Sequence, residues 1–576
     1  MPTTLGCRAA NLAWMAAGLP EWRRFRRALR APRQAQLRNL IAILRRNRAT
    51  DAGRCLHFDA ILDEQHPSST NPASLAEHVA AAYQSAVPIT SYDSLEPWIA
   101  RVRSGERGVL TGDDVSRLLP SSGSTSAAKL LPYTQSFQRE LTAAIDPWIA
   151  DVQLRYPGVL AGPAYWSISP AIPHDASAPS TSSGQAPSTS SGQVRIPIGF
   201  EDDSEYLGAA KRMLASAVLA VPDEIAKVED PESFRYLTLV FLASRRDLRL
   251  ISVWHPSFLA RLLDALPQWM PAIAADIAAG TLTSPGRLPD DLRRRLLARA
   301  PRDARRAAEL RALQSFDVRA VWPHLSIVSC WDDGYAKPAA DALRRALPNT
   351  PVQPKGLVAT EGIVSIPFRG RHPLAVNSHF VEFLDIEGRS RLADELSTGA
   401  EYSIVLTTSG GLSRYRLGDR VVVDGWSDAT PSLRFAGRED RISDRFGEKV
   451  SEGFVMTVLR RLFGESTMPR FAMLAPEEWH DGTAYTLFVA GGVTSALPRR
   501  LELELRHNPH YAWCVGLHQL LPARVVALGP RADDVYIDAC AARGQRIGDI
   551  KPTVLHTQSG WHAAFHECIE ESAHAC

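Results

Sequence analysis

The chain has few cysteines for its length and no pair of them at close spacing. Cys7, Cys55, Cys330, Cys514, Cys540, Cys568 and Cys576 are odd in number and scattered over 576 residues. That argues against a disulfide framework and against a zinc site, and predicts reduced thiols in a cytoplasmic protein. Long apolar runs are also missing. No stretch of about 18 apolar residues occurs, so no membrane-spanning helix is expected. The apolar patch at residues 12–19 has no strongly basic segment before it and no cleavage site after it, so it reads as a buried helix and not as a signal peptide. Excess charge of one sign is absent too. The formal net charge is +2, which announces neither a nucleic-acid nor a membrane partner.

What is present is an ordinary globular composition, 45% apolar and 22% charged. The length suggests roughly four domain-sized units, although large α/β enzymes merge several into one body. Residues 8–48 are Arg-rich with apolar positions at Leu12, Leu19, Phe25, Leu29, Leu37, Leu40, Ile41 and Leu44, the pattern of an amphipathic helix with a solvated basic face. Residues 178–193 are a perfect tandem octapeptide, A-P-S-T-S-S-G-Q twice. Too short and polar to stack as a solenoid, it reads as a flexible, exposed insertion. Deleting it should leave the melting temperature and turnover nearly unchanged, because such a composition buries too little apolar surface to order itself. A large loss of either would show that the segment packs against the body.

Residues 200–320 are mostly helical in pattern, and the Arg-rich run 292–311 reads as one more solvated helix face. From about 324, short β-type runs appear at 325–329, 356–360, 363–367, 381–384, 402–407 and 420–423. After about 440 come a helix at 450–463, a strand at 484–490, a helix near 498–506 and a strand at 523–528, enough for a separate small α+β domain.

Four segments carry chemistry. The first, L-P-S-S-G-S-T-S-A-A-K-L-L-P-Y-T from Leu119, packs Ser121, Ser122, Ser124, Thr125 and Ser126 with Gly123 and Lys129 between two prolyl segments. Hydroxyls, backbone N–H groups and one cation can wrap phosphate oxygens. The spacing is not that of a Walker loop, and alone the run reads equally well as a Ser-rich surface turn. In the second, Thr360-Glu361-Gly362 puts a carboxylate at a strand end, where it could hold Mg²⁺ or merely cap the strand. The third, T-T-S-G-G-L-S-R-Y-R-L-G-D from Thr407, sets Arg414 and Arg416 about Tyr415 as on a two-faced strand and puts Asp419 at a turn, where it could accept from two ribose hydroxyls. In the fourth, Arg438 sits in a turn before Asp440, and Phe446-Gly447-Glu448-Lys449 opens a helix.

In this order the four resemble the phosphate loop, T-E segment, Y-x-x-G-D segment and G-R-x-D hinge of the adenylate-forming superfamily. Across nearly the whole chain, the sequence is similar to the acyl acid amido synthetases of the Gretchen Hagen (auxin-responsive promoter) family. That likeness is carried by V-P-I-T-S-Y-D-S-L at 87–95, C-W-D-D-G at 330–334, K-G-L-V-A-T-E-G at 355–362, S-R-Y-R-L-G-D at 413–419 and F-G-E-K-V-S-E at 446–452. N-P-H-Y at 508–511 and G-Q-R-I-G-D-I-K-P at 544–552 look like the bacterial branch. Ala127, Ser413 and His255 depart from the family pattern, the last at a position expected to be small and polar.

The resemblance implies a mixed α/β fold. A large adenylate-forming domain at 1–440 has β-sheets and surrounding helices, and a small, mobile α+β domain at 441–576 is hinged near Glu439-Asp440. It implies an ATP- and Mg²⁺-dependent ligase that joins a carboxylic acid to an amino acid through an acyl-adenylate. The alternatives are an acyl-CoA ligase of the same superfamily and an inactive binding protein. It further implies that Ser121, Ser122, Gly123, Ser124, Thr125 and Lys129 hold phosphates, that Thr360 and Glu361 meet phosphate and Mg²⁺, and that Asp419 holds ribose. Arg438 would lie near ribose or phosphate, and Lys551 would come from the small domain to the α-phosphate. Lys551, Glu361 and Ser122 are the implied catalytic groups, and a monomer is the expected state. Tyr165, Trp166, Phe200, Trp254 and His255 are candidates for the acid pocket, each also readable as core packing.

Overall fold

The computed structural model describes residues 4–63, 72–120, 129–167, 196, 209–313, 317–439, 441–464, 467–543, 545 and 550–570. The Arg-rich start is two helices, Thr4–Ala28 and Pro32–Asn47, and not one. Pro32 opens the second helix in its first turn, where its missing N–H costs nothing, whereas Pro20 lies inside the first. The expected single helix face at 292–311 likewise divides into Asp290–Ala298 and Ala304–Arg311. Pro301 lies between them.

Strands β1 (Val115–Pro120) and β2 (Leu130–Thr134) pair antiparallel as far as Pro120↔Leu130, so the hydroxyl-rich segment joins two paired strand ends. β3 (Ala164–Trp166), β4 (Leu250–Ser252), β5 (Ile327–Cys330) and β6 (Val352–Pro354) form a parallel sheet in that order. Ile251 and Val328 bury against Phe241 and Leu262 of the helices Pro231–Ser244 and Pro256–Ala279. The second of these helices is well bounded. His255 caps its start ahead of Pro256, and Gly280, at φ +74°, ends it in the left-handed region. All four strand C-termini reach one edge, where Trp254, Trp331 and Lys355 follow β4, β5 and β6. That edge is where parallel sheets accept ligands.

β7 (Val358–Ala359) and β8 (Gly362–Ile363) form a hairpin with Thr360-Glu361 in its turn. β9 (Phe380–Leu384), β10 (Ser390–Arg391), β11 (Glu401–Thr407), β12 (Tyr415–Ser427) and β13 (Thr430–Arg438) make an antiparallel sheet in the order β10-β9-β11-β12-β13. Its Phe383, Ile404 and Val421 share a core with Phe137 and Leu141 of the helix Gln135–Arg155.

Beyond 441 the chain builds its own sheet. β14 (Ile442–Ser443) pairs with β15 (Val450–Ser451), and β16 (Phe471–Trp479), β17 (Gly482–Ala490) and β18 (Leu521–Leu528) pair in sequence order. One core holds Val455, Leu459, Leu487 and Leu501, and another holds Met473, Phe488, Tyr536 and Trp561. The helix expected to open at 446–449 starts at Glu452 instead, after β15. Glu448 explains the delay. Its buried carboxylate accepts from the Arg445 and Phe446 N–H groups and from Tyr485 Oη, which closes the segment into a loop. The six described cysteines are unpaired thiols. No described helix is long and apolar enough to cross a membrane.

Candidate active site

Glu361 is the centre of the site. Its hairpin turn is held close to the body, because a Cβ at Gly362 would lie 2.9 Å from the His379 ring. The His379 Nδ1 is in turn 2.9 Å from a Glu140 oxygen, which fixes the ring. Glu361 is 9% exposed. Burial raises its carboxyl pKa, and Arg438, Lys129 and Lys551 oppose that rise. Three cations far apart in sequence therefore act on one buried carboxylate. Lys129 precedes β2 with its ammonium 5.7 Å from the Tyr92 ring centroid, while Tyr92 Oη accepts from the Leu130 N–H at 2.7 Å. Lys551 follows Ile550, which is buried in the C-terminal core, and its ammonium lies 5.7 Å over Trp331.

Asp419 and Arg438 are register partners on β12 and β13, with Arg438 Nη1 3.6 Å from Asp419 Oδ1. Both were expected in turns, and both lie in strands. Gly418, at φ +81°, lets the long β12 ladder pass through that point. Asp419 keeps a side-chain exposure of 8%, against 31% for Arg438. Arg414 does not face the site. Its guanidinium is buried against Glu382 at 3.0 and 3.1 Å and also donates to the Gln84 and Val87 carbonyls. Tyr415 is buried, and Arg416 pairs with Glu439 at 2.7 Å. Thr360 adjoins Glu361, half-buried in the same turn. Ser121, Ser122, Gly123, Ser124 and Thr125, like Asp440 and Phe200, lie outside the described residues.

The C-W-D-D-G run at 330–334 supplies groups to which sequence reasoning gave no role. The Trp331 ring packs edge-on to Phe435 at 5.5 Å, and its Nε1 donates to the Asp333 carbonyl at 3.0 Å. The Asp333 carboxylate accepts from the Phe435 N–H at 3.1 Å, and burial pushes its pKa up to about 6. His255 departs from the family pattern and is a buried helix cap. Burial, with Lys551 and Arg261 nearby, lowers its pKa to about 3, so it stays neutral. Tyr165 is core, and Trp166 packs against Trp14 at 5.4 Å. Trp254 is not core, since it is 37% exposed and faces Lys355.

Lys129, Arg438 and Lys551 bring positive charge to the surroundings of Glu361 and Asp419, where phosphate oxygens would be met by charge-assisted hydrogen bonds. Among the described residues no group of three or more His, Cys, Asp or Glu side chains could cage a metal. The donor set suits Mg²⁺ carried by phosphates, which needs only one or two protein carboxylates.

Residues 21–352 match the GH3 family N-terminal domain, and residues 372–438 match the GH3 family central domain. A putative indole-3-acetic acid-amido synthetase, GH3.10, of Oryza sativa subsp. japonica is 22% identical over 437 residues, covering 73% of this chain and 83% of that one. The jasmonoyl–L-amino acid synthetase JAR6 of Nicotiana attenuata is 23% identical over 415 residues, covering 66% and 68%. Among solved structures, AtGH3.15 acyl acid amido synthetase in complex with 2,4-DB superposes with a TM-score of 0.76 at 16% identity, over 97% of this chain and 96% of that one.

Proposed function

Because the chain belongs to the GH3 family, whose N-terminal domain spans residues 21–352 of it, we propose that it is an ATP-dependent acyl acid amido synthetase. The observation that carries this reading is the convergence of Lys129, Arg438 and Lys551 on buried Glu361. In the first half-reaction an acid carboxylate attacks the α-phosphorus of ATP. A new P–O bond forms, the bond to the bridging oxygen breaks and pyrophosphate leaves. In the second, an amino-acid nitrogen attacks the acyl carbonyl, loses its proton and expels AMP.

Lys551 and Arg438 meet negative charge that grows on the phosphates, and fixed charge in a dry site commonly supplies most of the acceleration in such chemistry. Lys129 and the hydroxyls of Ser121, Ser122, Ser124 and Thr125 hold the phosphate chain, with Gly123 allowing close approach. Asp419 accepts from the ribose hydroxyls. Thr360 and Glu361 would meet the phosphates, and Glu361 would hold Mg²⁺, which when bound neutralises phosphate oxygens.

Domains at 1–440 and 441–576 rotate about Glu439-Asp440 between the two steps. The Arg261–Asp534 pair at 2.7 Å ties them together with Lys551 near Glu361, the arrangement that serves adenylation. Six unpaired thiols support a cytoplasmic site of action. A pyrophosphate-release screen over carboxylic acids, each with and without amino acids, tests the reading. Release with at least one acid, and amide formation once an amino acid is added, is expected. No release with any acid, or a preference for coenzyme A as acceptor, would sink it.

A further inference from the structure

Lys355 is a buried cation that no carboxylate among the described residues pairs with. It is 5% exposed, and its ammonium lies 4.5 Å from the Trp254 ring centroid and 5.4 Å from that of Trp148. It donates a hydrogen bond to Ser252 Oγ at 2.9 Å. The titrating group that acts on it is Cys330, whose thiol burial pushes up to about 12, so it stays neutral and balances nothing. Burying an ammonium without a counter-ion is costly. Burial accordingly lowers the Lys355 pKa to about 8.

The surroundings are unusual for a parallel sheet, whose buried faces are normally apolar. Ser252, Ser329 and Gln353 stand in register on β4, β5 and β6 and so share one face. Gln353 Oε1 accepts from Trp148 Nε1 at 3.3 Å and from Ser329 Oγ at 3.4 Å. A polar row thus runs across the sheet toward Lys355, two positions after Gln353. Two indoles flank the ammonium, and one of them, Trp254, is partly open to solvent. The slot lies at the C-terminal edge of the sheet, the place for a ligand.

The Lys355 ammonium has its own neighbours, Ser252, Trp254 and Trp148, whereas Lys551 lies over Trp331. The carboxylate to be adenylated must reach the phosphates near Glu361, so a different oxygen of the same acid meets Lys355.

We propose that Lys355 determines which acid is activated, and that this acid is a flat aromatic acid carrying a second anionic oxygen, remote from the reacting carboxylate. The aromatic frame lies against the solvent-open part of Trp254, where one of its faces exchanges water for indole surface. The second oxygen pairs with the ammonium. This rests on the acyl-adenylate reading above and adds the substrate class to it.

The test compares aromatic monocarboxylic acids with the same frames bearing a second carboxylate in one arm and a phenolic hydroxyl in the other. Pyrophosphate release is read for the wild type, Lys355→Met and Lys355→Arg, and acid binding is measured separately by calorimetry without ATP. The wild type should favour acids with the second group. In Lys355→Met the ratio of kcat/KM for such an acid to that for its parent should fall at least tenfold, and Lys355→Arg should restore part of it. The better arm identifies the oxygen as carboxylate or phenolate.

Wild-type affinity for the acid bearing a second carboxylate should weaken as pH rises above about 8, because the empty-site amine loses its proton there and the bound carboxylate requires that proton. Lys355→Arg should be flat across the same range. Removing an unbalanced buried charge should leave the Lys355→Met melting temperature level or higher. A wild type that prefers the plain acids, or a variant in which every acid falls by the same factor, would overturn the assignment. If no acid yields pyrophosphate but calorimetry still shows Lys355-dependent binding of the doubly functional acid, the ligase reading fails and the site stands.

Discussion

Lys551→Ala is expected to slow acid-dependent pyrophosphate release by about 10²–10³-fold, the scale for loss of one fixed electrostatic stabiliser. Its ammonium acts on both Glu361 and His255 and lies over the Trp331 face, at the meeting of the two halves of the chain. Charge builds on the α-phosphate while the carboxylate attacks, and the loss falls on that step. In the second step the acyl–adenylate bond already exists, and rotation of the C-terminal domain carries Lys551 away. Amide formation from supplied acyl-adenylate should therefore fall much less. The two half-reactions are measured separately, by pyrophosphate release and by amide yield. Equal slowing of both, or of neither, would remove the rotation mechanism and leave Lys129 as the principal phosphate partner.

Asp419→Ala should lower kcat/KM for ATP by about 10²-fold, mainly through KM. Two hydrogen bonds to ribose are lost, and leaving buried polar groups unpaired costs roughly 1–3 kcal/mol each. The fold should survive. Arg438 is 31% exposed in its side chain, so water can solvate the guanidinium when Asp419 is gone. Asp419→Asn, which keeps the shape and one acceptor, should lie between wild type and Ala. The decisive readout is 2′-deoxy-ATP. The wild type should discriminate against it, and Asp419→Ala should lose most of that discrimination. A variant that discriminates as the wild type does would reassign Asp419 to strand pairing with Arg438 alone.

The ion pair between Arg261 and Asp534 joins the two parts that the proposed rotation would move. The Arg261 side chain is 13% exposed, and burial lowers its pKa despite the nearby Asp534, so the pair offsets only part of the cost of burying the guanidinium. Under the proposed rotation it would have to break for the C-terminal part to turn. Gly453 and Arg420 meet at the same boundary, where a Cβ on Gly453 would lie 2.3 Å from the guanidinium.

Much of this molecule was legible in one dimension. Residue order alone exposed the strands at 381–384, 402–407 and 484–490, because alternating apolar residues bounded by Gly and polar turns constrain the backbone locally. It also singled out Glu361, Asp419, Arg438 and Lys551, through motifs that keep their spacing. Local rules failed where a distant partner decided. Asp419 and Arg438 read as turn residues, and only the β12–β13 pairing made them strand neighbours. Arg414 read only as one side of a two-faced strand, and its burial against Glu382, on another strand, came with the fold.

Trp148 gave no signal, and Lys355 and Asp333 fell within family-like motifs without a role, since residue order does not say whether a side chain will be buried or beside what. Sheet order brought the ends of β4, β5 and β6 to one edge and stacked two indoles on one ammonium. The sequence by itself determined which chemistry the chain is equipped for, since that resides in residue types at short spacing. The acid it selects was decided by tertiary structure, since charge, burial and shape in a pocket are sums over segments that meet only when folded.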